Sequence, residues 1–315
     1  MREAVMGSYI VKRILIALPL LVVISFITFV LNHLSPTDPV EVILRAQDVP
    51  VVTEELIAET RISLGMDKPL LIRYMDWLTS CLQLDFGRSY VTGKPVWSLL
   101  GPALLNTFKL TLVSSAFIII VSIGLGIVCA WREGNVLDLS VRGVSFILAS
   151  MPPYWLAALM VWYFSVKLDW FPTSGMDSYS SYVLPVTIIV VGYAGIYFRV
   201  IRNSMLSNLH EDYVLYARAC GLPERSITLH ILRNSMQVAV SVFGLAIPIL
   251  LGSTVVVENI FAWPGLGTLT VKSILSRDFP IIQAYVLVLA VAFVLFNTMS
   301  DIINAILNPK LRKEL

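Results

Sequence analysis

Six stretches without Asp, Glu, Lys or Arg recur along this chain: Ile14–Leu31, Leu110–Ala130, Val144–Val166, Tyr182–Phe198, Ser235–Val257 and Phe279–Ser300. A helix rises about 1.5 Å per residue and the hydrocarbon core of a bilayer is about 30 Å thick, so roughly 20 apolar residues cross it. One charge at the centre of a span costs about 2.5–3.5 kcal/mol, which makes six charge-free windows a pattern under constraint. They predict an all-α membrane protein with about six transmembrane helices. The last helix is expected to run on through Asp301 towards Leu307. Pro152-Pro153, Pro185 and Pro248, with Gly124, Gly126, Gly192, Gly195, Gly244 and Gly252, punctuate the spans, as kinks or as sites of close helix approach.

The first window follows Lys12 and Arg13, as in a signal peptide, but it is followed by Asn32-His33-Leu34-Ser35-Pro36, which offers no small-x-small cleavage site. A retained anchor helix is expected. Orientation follows the basic residues. With a cytoplasmic N-terminus, the inner segments hold Arg2, Lys12, Arg13, Arg132, Arg142, Arg199, Arg202, Arg218, Arg225, Arg233, Lys310, Arg312 and Lys313, whereas the two short outer loops hold only Lys167, Lys272 and Arg277. Both termini are therefore expected in the cytoplasm.

The long outer segment, residues 32–106, has local structure of its own. Thr53 suits the cap of a helix begun by Glu54 and Glu55 and ended by Gly65. Pro69 suits the first turn of a second helix, Pro69–Leu82, with Leu70, Tyr74, Trp77 and Leu78 on one face. The segment reads as a cap on the helix ends or as a docking surface for a soluble partner.

Composition agrees with a lipid-solvated surface. Hydrophobic residues make up 57% and charged residues 14% of the 315, against about 25% charged in a soluble domain. A net charge of +2 gives no basic face for nucleic acid. Cys81, Cys129 and Cys220 fall outside, within and inside the membrane on this topology, so no two of them are placed to pair. His33, His210 and His230 have no ligand spacing. Gly93-Lys94 lacks the rest of a phosphate-binding loop, so nucleotide binding by that device is excluded. Coupled carriers usually place Asp, Glu or His within their spans; the interiors of the windows here lack charge, so if the chain transports, the energy comes from elsewhere, which points to a partner protein.

The inner loop 199–234 is the most informative segment. Glu211 and Asp212 suit a helix N-terminus, Gly221 suits a left-handed stop, and Pro223 ends that helix and begins the next. A helix of about ten residues is too short to be stable alone in water. It needs a surface to pack on, either its own bundle or a groove on a cytoplasmic motor. A second helix, Pro223–Asn234, leads into the fifth span.

Tyr216-Ala217-Arg218-Ala219-Cys220-Gly221, followed by His230-Ile231-Leu232-Arg233-Asn234, resembles the cytoplasmic coupling loop of binding-protein-dependent ABC import permeases. Tyr216 stands where most members carry Glu, a variant similar to the peptide/nickel branch. Asp85-Phe86-Gly87-Arg88-Ser89, Met151-Pro152-Pro153-Tyr154-Trp155, Glu258 to Gly267 and Asn308-Pro309-Lys310 resemble the same branch, so the likeness covers essentially the whole chain. It implies a type I importer permease that pairs with a second, homologous permease. Two cytoplasmic ATPase subunits would bind ATP and Mg, so this chain needs no cofactor of its own. An extracytoplasmic binding protein would deliver substrate at a bacterial cell membrane. Tyr216, Ala217, Arg218, Ala219 and Gly221 would seat in a groove on one ATPase. The wording around Ile260–Gly265 is most similar to nickel or opine-metallophore importers, with dipeptide and oligopeptide permeases close behind.

Glu258 and Asn259 lie just past the fifth span on the outer side. They read as a gate or outer contact, or as a helix-end charge anchoring Ile260-Phe261-Ala262-Trp263. The expected divisions are 1–31, the first span; 32–106, the outer segment; 107–307, a five-helix core; and 308–315, a cytoplasmic tail. A stand-alone channel or secondary carrier is the alternative of another class, and it leaves the coupling-loop likeness unexplained.

Overall fold

A computed structural model of the protein describes residues 2–36, 38–47 and 49–307. The motif Asn308-Pro309-Lys310 and the tail lie outside the described residues. Thirteen α-helices are described: α1 Arg2–His33, α2 Pro39–Ala46, α3 Glu54–Ser63, α4 Leu70–Leu82, α5 Val96–Trp131, α6 Val136–Ser150, α7 Pro153–Met160, α8 Val183–Leu209, α9 Asp212–Ala219, α10 Glu224–Ser253, α11 Val255–Ile260, α12 Leu266–Leu275 and α13 Phe279–Leu307. Among the described residues, five segments are long and apolar enough to cross a membrane: Leu15–His33, Val96–Trp131, Tyr179–Leu209, Val242–Ile260 and Phe279–Ile303. The sixth expected span is not one straight helix. α6 and the segment Pro153–Lys167, formed by α7 and a π-helical turn, meet at a bend of 101°. Pro152 and Pro153 cause it, because neither has an N–H to donate back to the preceding turn.

The chain forms two compact units. The first runs to Thr107 and includes Pro264–Val294. Residues 264–294, expected in the core, thus pack with the N-terminal segment. Here Thr53 caps α3 by accepting from the Leu56 amide, and Gly65 takes a left-handed φ of 64°, as expected. Tyr74 on α4 is buried, donates to the Val22 carbonyl at 3.0 Å and meets Ser25 Oγ at 2.8 Å. Phe26 and Phe29 of α1 pack edge-on against its ring. The run Asp85–Ser89 makes a turn. Asp85 accepts from the Gly87 amide, Phe86 stacks on Trp97, and buried Asp278 accepts from Ser89 Oγ and the Tyr90 amide at 2.5 and 3.0 Å.

The second unit, Phe108–Trp263 with the chain from Leu295, is organised around α8, which is buried along most of its length. Small residues set the helix spacing around it. A Cβ added at Gly126 of α5 would lie 2.6 Å from Ile201 Cγ2, whereas at Gly124 it would meet nothing within 4 Å. Gly126→Ala is therefore expected to destabilise the chain by about 1–3 kcal/mol through overpacking, and Gly124→Ala to leave it unchanged. Thermal unfolding of both variants in one detergent checks this.

Candidate functional site

The residues singled out from the sequence fall at the two ends of α10, which at 30 residues is about 45 Å long. The structure does not bring them together. At one end lies α9. Met205 on α8 and Ile227 and Ile231 on α10 are fully buried, and Val214 of α9 fills the space between them at 1% exposure. Tyr213 and Ala217 flank it. That inner face gives the short helix the packing surface it needs.

The C-terminus of α9 is fixed by a left-handed stop. Gly221 has φ of 72°, its amide donates to the Arg218 carbonyl at 2.9 Å, and the Leu222 amide donates to the Ala217 carbonyl at 3.1 Å. This paired arrangement is what a glycine after a helix makes possible. Arg218 Nε donates to Glu224 at 3.0 Å, tying α9 to the first turn of α10. Asn208 Nδ2 bonds Ser235 Oγ, tying the end of α8 to α10. The opposite face is bare: Leu215 is 64% and Tyr216 73% exposed, and Ala219, Cys220 and Leu222 are exposed beside them. Two large apolar side chains held outward on a rigid eight-residue helix are suited to filling a pocket in another protein.

The sequence reading missed the pair that anchors α8 above this helix. Asp138 near the start of α6 is fully buried and accepts from Arg202 of α8 through both oxygens, Nε to Oδ1 and Nη2 to Oδ2, each at 2.8 Å. The Gly134 amide donates to Asp138 Oδ2 at 3.1 Å. Seven residues separate Arg202 from the end of α8. The signal available was an acid and a base flanking two apolar windows, which sequence alone reads as loop charges.

At the other end of α10, Glu258 is fully buried rather than presented outward. Thr254 Oγ1 donates to its Oε1 at 3.3 Å, and its carbonyl accepts from the Trp263 amide at 2.8 Å. Asn259 Nδ2 donates to the Val255 carbonyl, and Ala262 takes a φ of 46° to close the turn. The Gly175 amide bonds the Phe261 carbonyl, and Tyr182 packs edge-on against buried Trp263. Among the described residues, no group of three or more His, Cys, Asp or Glu is placed to hold a metal ion.

The cysteines differ in reactivity. Burial, aided by Asp85, pushes the Cys81 thiol up to about 12, and thiolate is the reactive form. Cys129 is buried and Cys220 exposed. Maleimide at neutral pH is expected to modify one thiol per folded chain, Cys220, as mass spectrometry of the labelled protein would show.

Residues 122–313 match the model of the family described as "Binding-protein-dependent transport system inner membrane component", and residues 6–112 match that of its N-terminal region. The chain is 52% identical over 308 residues to the metal-staphylopine import system permease protein CntB of Staphylococcus aureus, covering 98% of this chain and 99% of that one. It is 37% identical over 313 residues to the glutathione transport system permease protein GsiC of Salmonella typhimurium, again covering 98% and 99%. In fold it resembles a chain of the inward-facing MetNI methionine ABC transporter, with a TM-score of 0.58 at 18% identity over 67% of this chain and 96% of that one. A chain of an amino acid ABC transporter gives 0.53 at 13% identity, over 66% and 94%.

Proposed function

Since the chain belongs to the family of binding-protein-dependent transport system inner membrane components, a multi-pass permease subunit of an ABC importer, we propose that it forms half of the pathway for a metal bound to a small chelator. The observation that carries the metal–chelate reading is the 52% identity, end to end, to a metal-staphylopine import permease, against 37% to a glutathione permease. A peptide is the second reading, supported by the glutathione relative.

The family architecture implies a second permease, ATPase subunits and a substrate-binding protein. Within it, α9 is the element that meets an ATPase on the cytoplasmic side. Leu215, Tyr216 and Ala219 form the contact, and Gly221 and Arg218 hold the helix at a fixed angle to α8 and α10. Closure of the ATPases would push on α9 and so move α8. Cys220 reports on this contact: its maleimide labelling is expected to fall at least several-fold when the ATPase subunits are bound, and labelling unchanged by assembly would remove α9 from the interface.

The substrate is tested by uptake in cells carrying the complete importer. Radiolabelled nickel, cobalt or zinc should accumulate when an opine-type chelator is present and not with free metal alone. Excess dipeptide or glutathione should not compete. Competition by peptide, with no chelator-dependent metal uptake, would give the second reading.

A further inference from the structure

The bend between α6 and α7 leaves backbone polar groups without partners. The Met151 amide turns back to the Leu148 carbonyl at 3.2 Å. Residues 152 and 153 are both proline and have no N–H to give. No hydrogen bond within the described chain reaches the carbonyls of Ala149, Ser150 or Met151, or the amide of Tyr154. Ser150, Pro152, Pro153 and Tyr154 are exposed in the single chain.

The bend also lies at membrane depth. Ser145 of α6 packs on Gly195 in the middle of α8, and the buried Asp138–Arg202 pair joins the same two helices nearer their cytoplasmic ends. From Asp138 to Met151 is about 20 Å of helix, whereas α8 continues about 28 Å outward from Arg202 to Val183. The bend therefore lies short of the outer end of α8. Lipid at that depth offers no hydrogen bonds, and irregular backbone is tolerated there only against protein or where it lines water.

We propose that this bend is a solute-contacting site of the importer's aqueous pathway, and that it takes N–H groups bearing positive charge. The proposal rests on the permease reading above. The open carbonyls stand at the C-terminal end of α6, where the helix dipole is negative, and broken membrane helices with free carbonyls are a general device for holding cationic groups. An open, largely apolar surface depression of about 480 Å³ lies at the bend, lined by Phe146, Ile147, Ser150, Met151, Tyr154 and Trp155, with Pro152. Tyr154 and Trp155 are 61% and 47% exposed, and their ring faces add attraction for a cation. The site holds no carboxylate, so it suits a solute that brings its own ligands to any metal.

The test uses the assembled importer in liposomes, with the native chain as the parent and Ser150→Cys added, and counts modification as the excess over the parent, whose Cys220 the ATPase subunits cover. Ser150 is exposed and its hydroxyl bonds only the Phe146 carbonyl of its own helix, so the change is mild. A cationic methanethiosulfonate reagent is expected to modify Ser150→Cys about tenfold faster than an anionic reagent of the same size, and modification should block uptake. Ile16→Cys, on the exposed face of α1, should react with neither. Reaction with no reagent would place the bend in lipid or against protein, because only a water-exposed thiol ionises to the reactive thiolate, and equal rates would remove the preference for cations; each overturns the proposal. Failure of the permease reading would show separately, as absence of ATP-driven uptake by the unlabelled parent.

Discussion

Arg202→Ala is expected to cost about 3–5 kcal/mol and to remove most of the chain from the membrane, because it leaves the Asp138 carboxylate buried with its charge unanswered. Asp138 has no exposure, and Arg202 supplies two of its hydrogen bonds in the forked geometry that makes such pairs strong. The Gly134 amide remains, and Arg142 Nε lies 3.4 Å from Oδ1 on a side chain that is 41% exposed, so neither replaces what is lost. Asp138→Ala leaves Arg202 facing Glu133 at 4.0 Å on a half-exposed side chain, a weaker answer to its charge, and should also be damaging. Removing both is the informative variant. Asp138→Leu with Arg202→Met takes out both charges while keeping volume, and it should recover much of the loss, since buried pairs often contribute little net stability over well-packed apolar groups. Membrane abundance and thermal midpoint in detergent read all three. Single variants as stable as the parent would show that water reaches the pair.

How this pair was overlooked shows which parts of the fold the sequence carries. Span positions were readable because lipid constrains every residue of a window in the same direction. α9 was readable because its start and stop are local: Glu211 and Asp212 at one end, Gly221 and Pro223 at the other, each pair within about a turn of the end it sets. The Thr53 cap and the Tyr74 face of α4 were readable for the same reason. Asp138 and Arg202 are 64 positions apart, and Asp278 is 189 from Ser89. Nothing local distinguishes such a residue from a loop charge; only the packing of α6 on α8, or of the Asp85–Ser89 turn on the start of α13, reveals it. Glu258 is the converse case. Its position beyond a span left a gate and a helix-end anchor both open, and the turn through Ala262 folds over it. The bend at Pro152-Pro153 was visible as a break, but its 101° angle depends on what α7 packs against, which is α8 and α11.

The largest effect on transport, as distinct from stability, is expected at Gly221. Its φ of 72° lies where a β-branched side chain is strained, and an added Cβ would meet nothing within 4 Å. Gly221→Val therefore acts through the backbone alone, at about 1–2 kcal/mol or more of local strain. The two hydrogen bonds that stop α9 should yield first, since they hold only the loop, while Val214 keeps the helix near the bundle. The chain should remain in the membrane at normal abundance. Uptake, and stimulation of ATP hydrolysis by loaded binding protein, should fall more than about tenfold, because a helix free to swivel cannot pass a push to α8. Asn tolerates the left-handed region better than other side chains, so Gly221→Asn should keep most activity. Gly221→Asp is similar in shape and adds a charge. Ala219→Asp places the same charge on the exposed face without touching the stop. Loss of uptake with both Asp variants, and not with Asn, would assign the effect to burial of this face against an ATPase. Normal uptake by both would mean that α9 is a lid on its own bundle and that the motor engages the chain elsewhere.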